Sequence, residues 1–468
     1  MIENNKYSEL FNKQKANQFH IGNTSSKQRI DKLNKLKKAL EVTYKQDIRE
    51  ALFKDFKKPQ LETDLTEIYP VIDEINFVKQ NLKSWLKREQ VGTPLAMLGS
   101  TSYIVNEPKG VCLIISPWNY PINLTFGPLV SAIAAGNTVI LKPSEMTPNT
   151  SKVMARMVAN LFDENDIALV EGEVETSQEL LKLPFNHIFF TGSPAVGKIV
   201  MKAASEHLTS VTLELGGKSP TIIDDSAHLE KAVQKIIFGK FTNAGQTCIA
   251  PDYVLINETI KDEFITRFKN QIIKDYSENA SDSESYCRIV NKKHFKRLVD
   301  ALEDAKSKGA VVDSGGNFNE SDTYMEPTLV SNLTEDCTLM KEEIFGPILP
   351  IKTYKTLNEA VDYINSNEKP LALYIYSKNK KQTNFVINNT RAGGTCVNHN
   401  LLQYLNHNLP FGGSNNSGIG KSHGHFGFLE FTNQRSLLKQ HTIGAVDLLK
   451  PPYNNWKQKM VDLTIKWF

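Results

Sequence analysis

The sequence predicts an α/β protein with two doubly wound domains and a small β-rich element, and three observations support this. Short apolar runs alternate with amphipathic helical patterns over most of the chain. The runs are continuous, which is typical of parallel strands covered on both faces. The alternation pauses after Glu214-Leu215-Gly216-Gly217 and restarts at Thr221, so we expect two separate sheets.

Composition excludes several classes of protein. The 468 residues suffice for two or three domains, and contents of 40% hydrophobic and 23% charged residues are ordinary for a globular chain. A net charge of +3, without a basic stripe interleaved with aromatics, argues against a nucleic-acid partner. The five scattered cysteines form no CxxC pair, so we expect no metal site, no disulfide framework and a reducing, cytoplasmic location.

The first predicted segment is helical. Helical spacing of Ile30, Leu33, Leu36 and Leu40, and an apolar series from Leu65 to Leu86, predict amphipathic helices. The stretch 91–107, with a turn at Gly92-Thr93-Pro94 and a short predicted strand at 102–105, is interpreted as an excursion from this domain.

The two α/β regions follow. In the first, we predict strands at 111–116, 138–141, 167–170 and 187–190, and helices at 124–135 and from Thr147. In the second, we predict strands near 221, 253, 311, 328, 348 and 372, and helices near 229–241, 261–276 and 292–308. The second region ends near Gly393-Gly394 and precedes a Gly/Asn-rich loop at 412–420.

The ends of the chain carry no predicted targeting signal. Residues 1–13 are polar, so we expect no signal peptide, and no window is apolar for long enough to span a membrane. The last segment, 450–468, mixes lysines with apolar residues, namely Trp456, Met460, Leu463, Trp467 and Phe468. It fits a helix peripheral to a membrane, or one packed on its own protein or on a partner subunit, and packing is the favoured interpretation.

Cys248 is the candidate nucleophile. It follows Gly245-Gln246-Thr247, where the glycine permits a sharp turn that leaves the sulfur accessible. A helix N-terminus or a nearby cation would lower its pKa and make a reactive thiolate. A lone cysteine is more often a small buried hydrophobe, so the interpretation of Cys248 as a nucleophile depends on the other motifs.

Four further motifs lie at the ends of predicted strands, where open α/β sheets bind ligands. The turn Thr191–Gly197 suits a phosphate, while Lys142 and Glu145 suit the hydroxyls of a ribose. The amide of Asn119 suits an oxyanion, and Glu214 suits a general base with a raised pKa. Each also has an ordinary structural interpretation: a tight turn, a surface salt bridge, an Asn turn and a capping glutamate.

Together the motifs resemble the aldehyde dehydrogenase superfamily, in the family's order and over nearly the whole chain. They are Pro117-Trp118-Asn119-Tyr120-Pro121, Lys142-Pro143-Ser144-Glu145, Phe190-Thr191-Gly192-Ser193, Glu214-Leu215-Gly216-Gly217-Lys218-Ser219-Pro220, Gly245-Gln246-Thr247-Cys248, Glu342-Glu343-Ile344-Phe345-Gly346-Pro347 and Leu409-Pro410-Phe411-Gly412-Gly413. The Cys-Ile-Ala-Pro-Asp-Tyr continuation, the short N-terminus and the C-terminal extension are similar to the class 3 branch, which acts on fatty and aromatic aldehydes.

The resemblance implies an NAD-dependent oxidoreductase, with NADP as a second candidate cofactor, that oxidises a medium- or long-chain aliphatic or an aromatic aldehyde. It implies that Cys248 attacks the aldehyde, that Asn119 and the Cys248 backbone N–H hold the oxyanion, and that Glu214 activates water to hydrolyse a thioester. The implied cofactor-binding residues are Trp118, Lys142, Glu145, Gly192, Ser193, Gly197, Glu343 and Phe345.

The resemblance also implies a domain plan and a homodimer. Residues 1–90 and 108–214 would form a Rossmann-like NAD-binding domain, 215–395 the catalytic domain, 91–107 and 396–435 the oligomerisation element, and 436–468 a C-terminal extension. Three residues depart from the family pattern: Pro194 on the phosphate side, Asn415 in the Gly-rich loop, and His399 near the substrate mouth.

Three alternative functions remain. Glu214 argues against a CoA-acylating dehydrogenase, since such enzymes tend to lack this glutamate. A Cys/His hydrolase needs a histidine base, and the ten histidines fall in no partner motif. A non-enzymatic scaffold conflicts with an intact Cys248, Glu214 and Asn119. As to cofactor, Glu145 would repel a 2′-phosphate while Lys142 would attract one, and we favour NAD.

Overall fold

The computed structural model describes residues 5–94, 97–441 and 444–467. Its α-helices are α1 (Ser8–Gly22), α2 (Ser26–Lys38), α3 (Lys45–Phe56), α4 (Gln60–Thr63), α5 (Tyr69–Trp85), α6 (Pro121–Ala135), α7 (Pro148–Leu161), α8 (Val174–Leu181), α9 (Pro194–Ser205), α10 (Leu229–Phe241), α11 (Lys261–Tyr276), α12 (Lys292–Ser307), α13 (Thr338–Lys341), α14 (Leu357–Asn365), α15 (Lys380–Asn389), α16 (Gly424–Glu430) and α17 (Asn455–Trp467). Of the predicted features, the first residues of the 1–13 segment and Phe468 lie outside the described residues.

The strands follow the predicted alternation. They are β1 (Glu89–Val91), β2 (Ser100–Pro108), β3 (Val111–Ile115), β4 (Thr138–Lys142), β5 (Ile167–Leu169), β6 (His187–Gly192), β7 (Ser210–Leu215), β8 (Pro220–Ile223), β9 (Tyr253–Asn257), β10 (Val311–Ser314), β11 (Phe318–Asn319), β12 (Tyr324–Met325), β13 (Thr328–Ser331), β14 (Ile348–Tyr354), β15 (Ala372–Tyr376), β16 (Gly394–Val397), β17 (Gly418–Ile419) and β18 (Thr432–Gln440).

The first large sheet has the order β17-β7-β6-β3-β4-β5. The strands from β3 to β7 pair in parallel, and β17 adds an antiparallel edge beside β7. Every residue of β3 and β4 is buried, which explains why these strands read as continuous apolar runs. The parallel arrangement brings the carboxyl ends of β3, β4, β6 and β7 to one edge, and the candidate motifs follow those ends.

The second large sheet has the order β10-β13-β14-β9-β8-β15-β16 and is parallel except for β10. Cys248 lies in the loop that joins α10 to β9, a central strand of this sheet. The two-sheet α/β architecture predicted from the sequence is therefore confirmed.

A third sheet joins two distant segments of the chain. β2 pairs over all nine of its residues with β18, from Pro108 against Thr432 to Ser100 against Gln440. β18 runs through the boundary predicted between residues 435 and 436. Residues 396–431 contribute little to this sheet, because β16 and β17 belong to the second and first sheets. Because β18 is polar and mostly exposed, the hydrophobic pattern of the sequence does not predict it.

The C-terminal segment contains α17 (Asn455–Trp467), and none of the residues of this helix is buried. The side chains of Trp456, Leu463 and Trp467 are 56%, 58% and 71% exposed. The helix therefore buries none of its described residues against its own chain, and its packing on a partner subunit stays a prediction. Among the described residues, no helix has both the length and the apolar character needed to cross a bilayer.

Candidate active site

A single cleft of about 610 Å³ brings together most of the residues predicted for the site. Those lining it are Trp118, Asn119, Gly192, Ser193, Glu214, Cys248, Glu343 and Phe345. They come from the carboxyl ends of β3, β6 and β7, the loop before β9 and the loop after α13. The cleft therefore lies where the two large sheets meet.

Cys248 follows a turn in which three consecutive residues have a positive φ. Asn243, Ala244 and Gly245 have φ of 57°, 49° and 74°, all in the left-handed region. At Gly245 a side chain would also collide with the carbonyl oxygen of Gly346. The glycine is thus required by both the turn and the close approach, as the sequence suggested.

The Cys248 thiol is half-buried, and burial raises its pKa to about 12. The charges of Glu343 and Glu214 raise the pKa further, while the backbone N–H groups of Cys248 and Ile249 lower it. The pKa of the thiol is therefore raised in the ligand-free protein, where a helix N-terminus or a cation would have lowered it, and the side-chain charges that contribute are carboxylates. The resting thiol is protonated at neutral pH.

Glu214 ends β7 and is 6% exposed. Neither of its carboxylate oxygens has a hydrogen bond of ordinary geometry. Burial raises its pKa to about 8, although Ser422 and Lys421 lower it in part. A carboxyl group that titrates near neutral pH inside a cleft can accept and return a proton.

Asn119 lies 3% exposed in the loop between β3 and α6. Its side-chain amide donates to the carbonyl of Gln246 at 3.0 Å, which ties it to the loop that carries Cys248. A primary amide has a second N–H, and Asn119 lines the cleft beside Cys248. The arrangement suits donation to an oxygen bound near the sulfur.

The loop carrying Glu343 and Phe345 is held by residues that sequence reasoning did not assign. Arg297 donates to the carbonyl of Ile344 at 2.7 Å, and Asp252 accepts from the Ile344 N–H at 2.9 Å. Lys218 donates to the carbonyls of Leu339 and Glu342 at 2.8 and 2.9 Å. Lys218 and Asp252 sit inside recognised motifs, whereas nothing in the sequence marks Arg297.

Two aromatic rings form a corner of the cleft beside this loop. Trp118 and Phe345 meet edge to face at 5.3 Å, and His294 lies 5.0 Å from Trp118. Phe345 has a φ of 47°, which is unusual for a bulky residue. Burial, followed by the charge of Asp252, raises the pKa of Glu343 to about 8. These features shape an apolar end of the cleft.

The turn Thr191–Gly197 has only some of the features expected of a phosphate site. Ser193 caps α9, accepting from the Val196 N–H at 3.4 Å, and Pro194 occupies the first helical position without an N–H to donate. Gly197 is buried, and a side chain there would lie 2.8 Å from Leu215. Gly197 therefore serves helix–strand packing and does not line the cleft.

Lys142 and Glu145 lie outside the lining of the cleft. They bind each other at 3.1 Å, and Lys142 also donates to the carbonyl of Pro143 at 2.8 Å. Lys142 is 2% exposed and stands at the end of β4, beside β3. Their predicted contact with a ribose stays a prediction.

A second, smaller cavity of about 40 Å³ shares Cys248 and Glu214 with the cleft. Its wall is largely apolar or aromatic and includes Leu124, Phe189, Leu371, Tyr404, Phe411 and His423. Cys248 and Glu214 are thus reachable from two cavities. His399 lines neither of them.

Asn415, the departure in the Gly-rich loop, is accommodated by the backbone. It has a φ of 56°, a conformation that asparagine adopts more readily than most residues. Its side-chain oxygen accepts from Lys369 at 2.6 Å.

Fold and site define a class of enzyme: an α/β oxidoreductase with a cysteine, a separate buried carboxyl group and a cleft between two sheets. Residues 3–437 match the family model described as Aldehyde dehydrogenase family. The chain belongs to the aldehyde dehydrogenase family.

Individual relatives are similar in sequence to this chain over nearly its whole length. The 4,4'-diaponeurosporen-aldehyde dehydrogenase of Staphylococcus aureus is 46% identical, across 91% of this chain and 92% of its own. Aldehyde dehydrogenase family 3 member B3 of Mus musculus is 42% identical, across 95% and 92%. A solved structure described as the substrate-bound state of Staphylococcus aureus AldH is 43% identical, covers 98% of this chain and 100% of its own, and superposes with a TM-score of 0.94.

The predicted family, its class 3 character, the fold and the activity are therefore confirmed. The protein is an aldehyde dehydrogenase that oxidises an aldehyde to a carboxylic acid with NAD(P). Membership of this family removes the hydrolase alternative.

Proposed function

We propose that Cys248 is the nucleophile, that Asn119 and the Cys248 backbone N–H hold the oxyanion, and that Glu214 is the base for hydrolysis. One observation carries this assignment: Cys248 and Glu214 both line the large cleft and the small apolar cavity. The reacting end of an aldehyde beside the small cavity and a nucleotide in the cleft would meet at the sulfur.

The residues act one after another in the reaction. Once deprotonated, Cys248 forms a C–S bond to the aldehyde carbon, and the carbonyl electron pair moves to oxygen, where the Asn119 amide donates to it. Bound NAD(P) supplies the hydride acceptor. As the C=O bond re-forms, the carbon loses its hydrogen with the electron pair and a thioester to Cys248 remains. Glu214 then takes a proton from water, the water oxygen attacks, and the C–S bond breaks.

The residues of the cleft fit a dinucleotide. Its volume of about 610 Å³ falls in the range of cofactor sites. Trp118, Glu343 and Phe345 would hold the nicotinamide riboside end, and Gly192 with Ser193 at the start of α9 would face the pyrophosphate. NAD is the proposed cofactor, because Glu145 already neutralises Lys142 and leaves it little charge for a 2′-phosphate.

The proposed substrate is a medium- or long-chain aliphatic aldehyde, or an aromatic one. The apolar wall formed by Leu124, Phe189, Tyr404 and Phe411 favours such a chain over a charged one. An initial-rate series from acetaldehyde to dodecanal, with benzaldehyde, should show kcat/KM rising with apolar size. Preference for a short or charged aldehyde would contradict this part of the proposal.

The test of the residue roles separates acylation from hydrolysis. Cys248→Ala should lose all turnover, whereas Glu214→Gln should keep a burst of NADH near one equivalent and lose steady turnover by about 10²–10⁴-fold. An equal loss of the burst in both variants would overturn the separate role of Glu214. Added CoA should not accelerate turnover of the wild type; formation of acyl-CoA would favour the CoA-acylating alternative.

The proposed assembly is a cytoplasmic homodimer. The uncovered apolar side chains of α17 and the strand β18 at the edge of its sheet offer surface to a second copy. Light scattering should give twice the mass of the 52.7 kDa chain, and a truncation before Lys450 should weaken the dimer. A dimer of unchanged stability, with vesicle binding lost on truncation, would instead assign the helix to a membrane surface.

A further inference from the structure

Asn243, just before the nucleophile loop, is held in an unfavourable conformation in a fully buried position. It is 0% exposed and left-handed, and the next residue, Ala244, is left-handed too. This conformation costs most residues about 1–2 kcal/mol, and asparagine adopts it more readily than alanine, so the strain of the turn lies chiefly at Ala244. Strain of this kind persists only where the surroundings over-determine it, and here several groups hold Asn243.

The Asn243 side-chain amide holds two backbone carbonyls at once. It donates to the carbonyl of Asn119 at 2.9 Å and to that of Gln246 at 3.0 Å. The Asn119 side chain donates to the same Gln246 carbonyl at 3.0 Å. In addition, the Asn243 backbone N–H donates to Glu62 at 2.8 Å. One amide therefore joins the backbone of Asn119 to the loop that carries Cys248.

A buried ion pair supports Asn119 from its other side. Lys58 and Glu67, both 0% exposed, pair at 2.7 Å, and Lys58 reaches the Asn119 carbonyl at 3.4 Å. The second oxygen of Glu67 accepts from the N–H groups of Ile122 and Asn123, each at 3.1 Å, at the start of α6. Because Lys58 and Glu67 are fully buried, this pair and Asn243 form a frame that holds the Asn119 backbone in place.

We infer that Asn243 is a positioning residue that acts through Asn119: it fixes the Asn119 backbone, and so directs the amide N–H at the oxygen of the bound aldehyde. This inference rests on the proposed role of Asn119. In the left-handed conformation Asn243 points its amide at both carbonyls while its N–H meets Glu62. A shift of about 1 Å in the donor can lower the rate by about 10²-fold, an effect larger than the energetic cost of the strained turn.

The test is a double-mutant cycle between positions 243 and 119, read by the rate of the NADH burst. Asn243→Gly removes the amide but tolerates the left-handed backbone, and Asn243→Ser is a second variant in case the first does not fold. Asn332→Gly is the matched control, because Asn332 is also left-handed (φ 56°) but is exposed and does not line the cleft. Alkylation of Cys248 by iodoacetamide and the Kd for NAD report whether loop and cleft are intact.

Asn119→Ala should slow the burst by about 10²–10³-fold and Asn243→Gly by about 10–100-fold, while Asn332→Gly leaves it unchanged. The double variant should be no slower than Asn119→Ala, and alkylation and NAD affinity should hold within about twofold of wild type. Multiplying effects, or an unchanged burst in Asn243→Gly, would overturn the positioning role. An unchanged burst in Asn119→Ala would instead overturn the proposed function of Asn119.

Discussion

Two buried glutamates of this enzyme have the same chemistry and opposite surroundings. Glu67, in the frame behind Asn119, binds Lys58 and two backbone N–H groups. Glu214, in the cleft, has no hydrogen bond of ordinary geometry at either oxygen. Burial raises the pKa of both carboxyl groups, but Lys58 and the two N–H groups counter the rise at Glu67, whereas the weaker influence of Ser422 and Lys421 leaves the pKa of Glu214 at about 8. The difference separates a group that holds geometry from one that moves protons.

The largest effect is expected when the buried ion pair between Lys58 and Glu67 is broken. Lys58→Met keeps the side-chain stem but leaves Glu67 buried without its cation, and should lower the free energy of unfolding by about 3–5 kcal/mol in urea titrations. The double variant Lys58→Met/Glu67→Gln should recover part of that loss. Lys306→Met, which removes an exposed pair with Glu303, should cost less than about 1 kcal/mol. A loss equally small at Lys58 would contradict the frame.

A second prediction concerns the pH dependence of stability. Folding raises the pKa of Glu214 from 4.5 to about 8, so its contribution is fully present below 4.5 and is lost as pH rises through 8. Glu214→Gln cannot titrate, so its stability relative to wild type should rise by up to about 5 kcal/mol between pH 5 and 9. Thermal melts in that range measure this, and a constant difference across it would show that folding does not raise the pKa of Glu214. Glu67→Gln should destabilise throughout.

A third, smaller effect concerns Glu343, whose pKa is also raised to about 8. A side chain at Gly216 would collide with the Glu343 carboxylate. Gly216→Ala should push this carboxylate aside and raise KM for NAD by about tenfold with little loss of stability, since a side-chain end can move. Gly92→Ala, where no atom lies within 4 Å, is the matched control. An unchanged KM would remove Glu343 from cofactor binding.

The smallest effect is expected at the pair Lys142–Glu145, which the structure places outside the cleft lining. Glu145→Gln removes the charge that neutralises Lys142, and should raise the ratio of kcat/KM for NADP to that for NAD by about three- to tenfold. Glu164→Gln, at an exposed glutamate paired with Lys13, should leave the ratio unchanged. No change at Glu145 would place the ribose elsewhere.

Local patterns in the sequence predicted what depends on neighbours in the chain. Continuous apolar runs predicted the buried strands, and helices such as 229–241 and 261–276 were predicted to the residue. The motifs at strand ends predicted that Asn119, Glu214 and Cys248 would share a cleft, because parallel strands end at one edge.

Features that depend on distant partners could not be predicted in this way. The raised pKa of Cys248 comes from burial and from carboxylates more than thirty residues away in the chain. The ion pair of Lys58 and the N–H groups that Glu67 accepts join the N-terminal helices to α6, and no periodicity marks them. β18 is polar and mostly exposed, so its pairing with β2 leaves no hydrophobic signal.

The protonated state of the Cys248 thiol has a consequence for the lifetime of the enzyme. Peroxides and other electrophiles attack thiolates far faster than thiols, and a group with a pKa of about 12 is almost wholly in the unreactive form at neutral pH. The ligand-free enzyme should therefore resist inactivation by peroxide more than an enzyme with a low-pKa cysteine, and the rate of inactivation with and without nucleotide measures this.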